Sequence, residues 1–93
     1  MRTINRPARF RKDYKRELKG RHGKSLDPVL REVLARLASD LPLPTKFRDH
    51  ALTGEWKDFR DCHIKPDLVL IYRLIGEDTL ELARIGSHSE LGL

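Results

Sequence analysis

The 93-residue sequence contains one cysteine, one methionine, one tryptophan and only five other aromatic residues, three Phe and two Tyr. A lone Cys62 excludes an internal disulfide and leaves no cysteine pair for a metal. The longest uninterrupted apolar run is Leu68-Val69-Leu70-Ile71-Tyr72, far short of the ~20 residues that span a bilayer, so no membrane partner is expected. The N-terminal stretch has the charge of a signal peptide but no apolar segment behind it, and the expected location is the cytoplasm. Repeats and low-complexity tracts are absent, and Gly54 and Gly86 are too isolated to build a phosphate cradle. The chain is also short. At this size ~60% of the unfolded surface is buried on folding, which gives one modest core. A single domain over residues 1–93 is expected, and a dinucleotide-binding domain or a large barrel is excluded.

Charge is plentiful and unevenly spread. The chain carries 19 Lys+Arg against 14 Asp+Glu, net +5. Residues 1–24 alone hold ten basic side chains, among them Arg9, Lys12, Lys15 and Arg16, and two acids, Asp13 and Glu17, for a net +8. The other 69 residues are net −3. Such a segment attracts a nucleic acid or an acidic protein, or is simply a solvated helix face.

Hydrophobic spacing divides the chain into a helical and a strand-rich half. Arg2–Arg6 reads as an edge strand stopped by Pro7. Phe10, Tyr14 and Leu18 then form a narrow apolar stripe on a basic helix, ended by Gly20 and Gly23. Asp27 as N-cap and Pro28 at the first helical position predict a second helix, with Val29, Leu30, Val33, Leu34 and Leu37 inward and a stop at Leu41-Pro42-Leu43-Pro44. Three strands follow, Glu55–Ile64, Leu68–Ile75 and Thr79–Ile85, joined by turns short enough for hairpins. Leu68–Ile75 is apolar on both parities, so it is the expected central strand. The predicted fold is α+β: a helical hairpin on one face of a small, mainly antiparallel four-stranded sheet, its other face open.

Three of the four histidines, His50, His63 and His88, lie in the strand-rich half, and Asp67 follows His63 by four residues. Imidazoles titrate near neutrality, so two of them can serve as base and acid on one reacting group, and a carboxylate can orient one. Scattered surface histidines are the plain alternative, and a His/Asp metal site is another. Cys62 points away from its neighbour His63 in an extended strand and reads as structural. Lys46, Arg48, Lys57, Arg60, Lys65 and Arg84 surround the histidines, and arginine forks bind phosphate. Trp56 reads as core.

The spaced set Leu41-Pro42-Leu43-Pro44, Asp49-His50, Leu52, Gly54, Trp56-Lys57, Arg60-Asp61, His63, Pro66-Asp67, Ile71-Tyr72, Arg84, Gly86 and His88 resembles the YafQ branch of the RelE-type toxins. The resemblance is close over residues 41–91; nearer the N-terminus it is carried by Phe10, Lys12-Asp13 and Lys15. It implies a RelE-like fold and a metal-independent endoribonuclease, without cofactor, that cleaves mRNA in the A site of the 70S ribosome. It also implies a cognate antitoxin that holds the toxin inactive. The family's functional residues fall on His50, His63, Asp67 and His88, with Arg84 just before the loop of the last histidine. Related toxins often carry an aromatic four residues beyond that histidine, where this chain has Gly92.

RNA supplies its own nucleophile, the 2′-OH, so the protein must remove that proton, protonate the 5′ leaving oxygen and stabilise the charged phosphorus centre. On this basis His50 or Asp67 is the expected base, His88 the acid, and His63 with Arg84 the phosphate-stabilising pair. Lys46, Lys57 and Arg60 are expected to contact RNA. Arg9, Lys12, Lys15 and Arg16 are expected to anchor ribosomal RNA or the antitoxin. A non-catalytic ParE-like toxin, or a ribosome- or RNA-binding module, is the alternative on the same scaffold.

Overall fold

Leu68–Ile75 is central, as its two apolar faces require. The computed structural model describes residues 1–93. In it, this strand, β4, lies between β3 (Arg60–Lys65) and β5 (Thr79–Gly86), paired antiparallel to both. Two short strands complete the sheet: β2 (His50–Ala51) beside β3, and β1 (Thr3–Asn5) parallel to β5, giving the order β1-β5-β4-β3-β2. The sheet is thus five-stranded and mixed, not four-stranded.

Two helices cover one face. Helix α1 (Ala8–Leu18) follows Pro7, and α2 (Gly23–Ala38) returns across the sheet. Phe10, Leu26, Leu30, Val33, Leu34 and Leu37 meet Cys62, Ile64, Leu68, Leu70, Leu80, Leu82 and Ile85 in one core. Each fully buried aliphatic side chain stabilises this core by about 1.5–3 kcal/mol. The α1–α2 turn is tight enough that a Cβ on Gly23 would lie 2.0 Å from the Leu18 carbonyl oxygen, which only glycine avoids. Consequently α2 starts at Gly23, one turn before the expected N-cap. Asp27 instead accepts a hydrogen bond from the Tyr14 hydroxyl, tying α2 to α1, and Pro28 lies inside the helix.

The opposite face is only partly open. The expected strand over Glu55–Ile64 begins at Arg60, because Gly54–Trp56 forms a 3₁₀ turn and Asp58 takes a left-handed conformation (φ 76°), which aspartate tolerates better than most residues. The turn lays Trp56 and Phe59 edge to face, 5.2 Å between centroids. With Leu52 and Ala83 they pack against Val69, Ile71 and Leu91 as a second, smaller cluster. Leu91 comes from a short C-terminal helix, α3 (His88–Leu91), that the periodicity does not predict.

Beyond Glu81, β5 has no strand partner on its α1 side, since β1 ends at Asn5. Side chains of α1 take over the pairing. Asp13 accepts from the Ile85 N–H (3.2 Å), and Arg16 donates to the Ile85 carbonyl (3.0 Å). A bare sheet edge is thereby satisfied by a helix.

Candidate functional site

Strand alternation puts Asp61 and His63 on the same face of β3, the face carrying the smaller cluster. Cross-strand register then sets two adjacent rungs. His50 pairs with Asp61, which pairs with Ile71 on β4; His63 pairs with Val69, which pairs with Gly86 on β5. Two residues past Gly86, α3 begins with His88, and its ring meets that of His63 edge-on, with centroids 5.1 Å apart. Three histidines distant in sequence thus gather around one carboxylate.

That carboxylate is Asp61, only 2% exposed. His50 Nδ1 lies 3.1 Å from its Oδ1 but directs its hydrogen to the Arg48 carbonyl (2.9 Å), so Asp61 Oδ1 receives no hydrogen bond. Burial pushes the Asp61 carboxyl above the usual carboxylate range, while the nearby His50, His63 and His88, when protonated, pull it back. The Arg48 carbonyl can only accept, so Nδ1 of His50 carries the proton and a neutral ring keeps its Nε2 lone pair free. His50 itself is set by its predecessor: Asp49 accepts from the Tyr72 hydroxyl (2.5 Å) and from both arms of Arg60 (3.3 Å each).

His63 is half-buried. Burial lowers its pKa below the ordinary histidine value, and His88 and Arg48 lower it further against the pull of Asp61. His63 is therefore neutral at pH 7. Cys62 faces the helices and its thiol is pushed far up by burial, which keeps it unreactive.

Asp67 is not with these histidines. Its carboxylate accepts from His22 Nε2 (2.8 Å) and lies 3.4 Å from Arg21, so it binds the β3–β4 turn to the α1–α2 turn. The His22 hydrogen bond, with Arg21 nearby, holds its pKa down. Arg84 grips Asp13 with Nε (2.6 Å) and Nη2 (3.0 Å). Arg60 is committed to Asp49, and Arg16 bridges Asp13, Glu17 and Glu90. By contrast Arg9, Lys12, Lys15 and Lys57 are exposed and outside every ion pair, as is Lys46, which stacks on Phe47. The expected basic set thus divides into arginines that hold the fold and side chains free to meet a polyanion.

Asp61 is not among the expected site residues, although it stands in Arg60-Asp61-x-His63. The signal was the i, i+2 spacing in a strand, the same alternation that excludes Cys62 as a partner of His63.

The family model for the bacterial toxin of type II toxin–antitoxin systems, YafQ, matches residues 2–92. The chain belongs to the YafQ family. It is 37% identical over 90 residues to the mRNA interferase toxin YafQ of Escherichia coli K12, covering 97% of this chain and 95% of that one. Among solved structures, the metal-bound toxin from Helicobacter pylori superposes with a TM-score of 0.86 at 46% identity, covering 98% of this chain and 99% of that chain. The YafQ chain of the E. coli DinJ–YafQ toxin–antitoxin complex superposes with a TM-score of 0.82 at 37% identity, covering 97% and 96%. The RelE-like architecture expected of a YafQ-family chain is consistent with this shared fold, with the fifth strand and the C-terminal helix as the differences from expectation. No helix is long and apolar enough to cross a membrane.

Proposed function

We propose that this protein is an mRNA interferase, the toxin of a type II pair, which cuts translated messages in the ribosomal A site by 2′-OH attack. The observation that carries the reading is the convergence of His50, His63 and His88 on the buried Asp61. In this reading His50 is the base, because its Nε2 faces away from Arg48 with a free lone pair. His88, the exposed ring partner of His63, protonates the 5′ leaving oxygen. His63 donates to the phosphate, and Asp61 stabilises the imidazolium that forms. Asp67 and Arg84 act through the side chains they hold, His22 and Arg21 in one case and Asp13 in the other, rather than on the scissile phosphate. The free cations Lys46, Lys57, Arg9, Lys12 and Lys15 contact message and ribosomal RNA.

A cognate antitoxin is the second partner. Between α1 and α2 runs a groove of about 350 Å³ with an apolar floor of Phe10, Leu30 and Leu34 and a basic rim of Arg6, Arg11 and Arg31. It suits an acidic amphipathic segment.

Cleavage in this reading needs no metal. The H. pylori relative was crystallised with metal bound, so the metal dependence of cutting is a direct test of this reading. The deciding experiment is primer extension on a message translated by purified ribosomes, comparing untreated toxin with toxin treated with chelator and freed of it before the assay. Cuts in the A-site codon that persist with the chelator-treated toxin are expected; loss of cutting with that toxin, and its return when a transition metal is added back to it, would overturn the metal-free mechanism. No cutting, with inhibition of gyrase supercoiling instead, would favour a ParE-like toxin.

Asp61→Asn separates stability from activity. The folded-state pKa of Asp61 is raised, so its contribution to stability is present below about pH 4, the ordinary carboxylate value, and is lost as pH rises through the folded value. Asparagine removes that loss, so at pH 7 the variant should melt no lower than wild type. Cleavage should fall by about 10- to 100-fold, less than for a carboxylate that directly hydrogen-bonds its histidine. Thermal melts and single-turnover cleavage rates check both, and an Asp61→Asn variant with wild-type rates would remove Asp61 from the mechanism.

A further inference from the structure

Helix α3 is four residues long, too short to be stable on its own hydrogen bonds, yet it presents His88. Its position has to come from outside. Leu91 packs on Val69 and Ile71, and Gly92, left-handed at φ 71°, closes the helix. Those contacts hold the C-terminal end. The N-terminal end, where His88 sits, is held by Glu90. Its Oε1 accepts from the Ser87 N–H (2.9 Å) while its own N–H donates to Ser87 Oγ (3.1 Å), a reciprocal capping box. Its second oxygen, Oε2, meets Arg16 Nε at 3.1 Å.

Arg16 is itself immobilised. Its guanidinium also holds Asp13 Oδ1 and the Ile85 carbonyl, each at 3.0 Å, so Glu90 is tied through one cation to both α1 and β5. An independent feature of the backbone fits this arrangement. A Cβ on Gly86 would stand 2.9 Å from Arg16 Nη2 and 3.3 Å from Glu90 Oε1; glycine leaves the space through which the two side chains meet. The Glu90 carboxyl is held below its ordinary value by the Ser87 N–H first and by Arg16 among the smaller causes, so it is ionised at neutral pH.

We propose that Arg16 and Glu90 form a latch that positions His88 against His63, making Glu90 a positioning residue for cleavage. The proposal rests on the reading of His88 as part of the ribonuclease site. The cap fixes where α3 begins, and the ion pair fixes its height over the sheet. With the latch open, α3 pivots about Leu91 and His88 swings away from the reacting phosphate.

Two variants of one exposed residue test this. Glu90→Gln keeps a carbonyl for the Ser87 N–H but removes the charge facing Arg16; Glu90→Ala removes both. With a defined message and purified ribosomes at varied concentration, Glu90→Ala should lower kcat by about tenfold with KM unchanged, and Glu90→Gln by about threefold, the cost of a small misplacement of an acid. The His88 imidazole resonances should broaden in the same order while the folded fraction stays that of wild type. Wild-type kcat in Glu90→Ala, a change confined to KM, or an unaltered His88 spectrum would overturn the latch. Wild-type protein that cuts no message would overturn the ribonuclease reading instead, and the His88 spectrum would still decide the latch.

Discussion

Replacing His88 by alanine is expected to slow message cleavage by about 10²- to 10⁴-fold, the range for loss of a general acid, with the protein still folded. His88 is exposed at the first position of α3 and belongs to neither apolar cluster, so melting should shift by no more than the ~0.5 kcal/mol typical of surface changes. The assignment to the leaving-group side has its own signature. In RNA whose 5′-bridging oxygen is replaced by sulfur, the leaving thiolate needs no proton. The His88→Ala rate on that substrate should return to within about tenfold of wild type, since the missing proton is then no longer needed. The equivalent His50→Ala variant, lacking the base, should stay slow on both substrates. Rescue of His50→Ala in place of His88→Ala would exchange the two roles, and a fully active His88→Ala protein would remove it from the chemistry altogether.

How much of this arrangement can be read from one-dimensional patterns depends on what sets each part. The central strand is legible because burial on two faces leaves a contiguous apolar run at Leu68–Tyr72, and both helices are legible because their stripes meet a single core. Membership of the YafQ family is legible from the spaced residues 41–91. The rest depends on partners that no local pattern specifies. Asp27 before Pro28 looks like a helix cap whether it caps its own helix or, as here, accepts from Tyr14 on α1. Asp67 stands four residues from His63 but finds the fourth histidine, His22, across 45 positions of sequence. Arg84 has the charge to hold a phosphate and holds Asp13 instead. Residues with identical chemistry were therefore separable only by their tertiary neighbours. Asp61 is the exception: alternation along β3 places it beside His63 without any tertiary information.

Asp13→Ala is expected to destabilise the protein as much as the loss of a fully buried core side chain would. Asp13 is 3% exposed and accepts four hydrogen bonds, two from Arg84 and one each from Arg16 and the Ile85 N–H. Truncation leaves the half-buried Arg84 charge and the Ile85 N–H without partners at the strand edge that α1 covers. Breaking a buried pair in this way costs about 3–5 kcal/mol, a large share of the roughly 5–14 kcal/mol that holds a chain of this length together. A fall in melting temperature on the order of 20 °C follows. Asp13→Asn keeps the shape and one acceptor and should lose about half as much. The pH dependence identifies the carboxylate. Burial pushes the Asp13 pKa up, but Arg84, the Ile85 N–H and Arg16 outweigh it and hold the folded value below the ordinary one. A depressed carboxyl contributes stability that is complete above its unfolded value, about pH 4, and is lost as pH falls through the folded value. Wild type should therefore lose stability below pH 4 where Asp13→Asn is flatter. The Asp61 contribution changes above pH 4, so one urea titration across pH 2–7 with both asparagine variants separates the two groups. An Asp13→Ala protein that melts with wild type would mean that Arg84 and the β5 edge are satisfied by water, leaving Arg84 free for the phosphate role its charge allows.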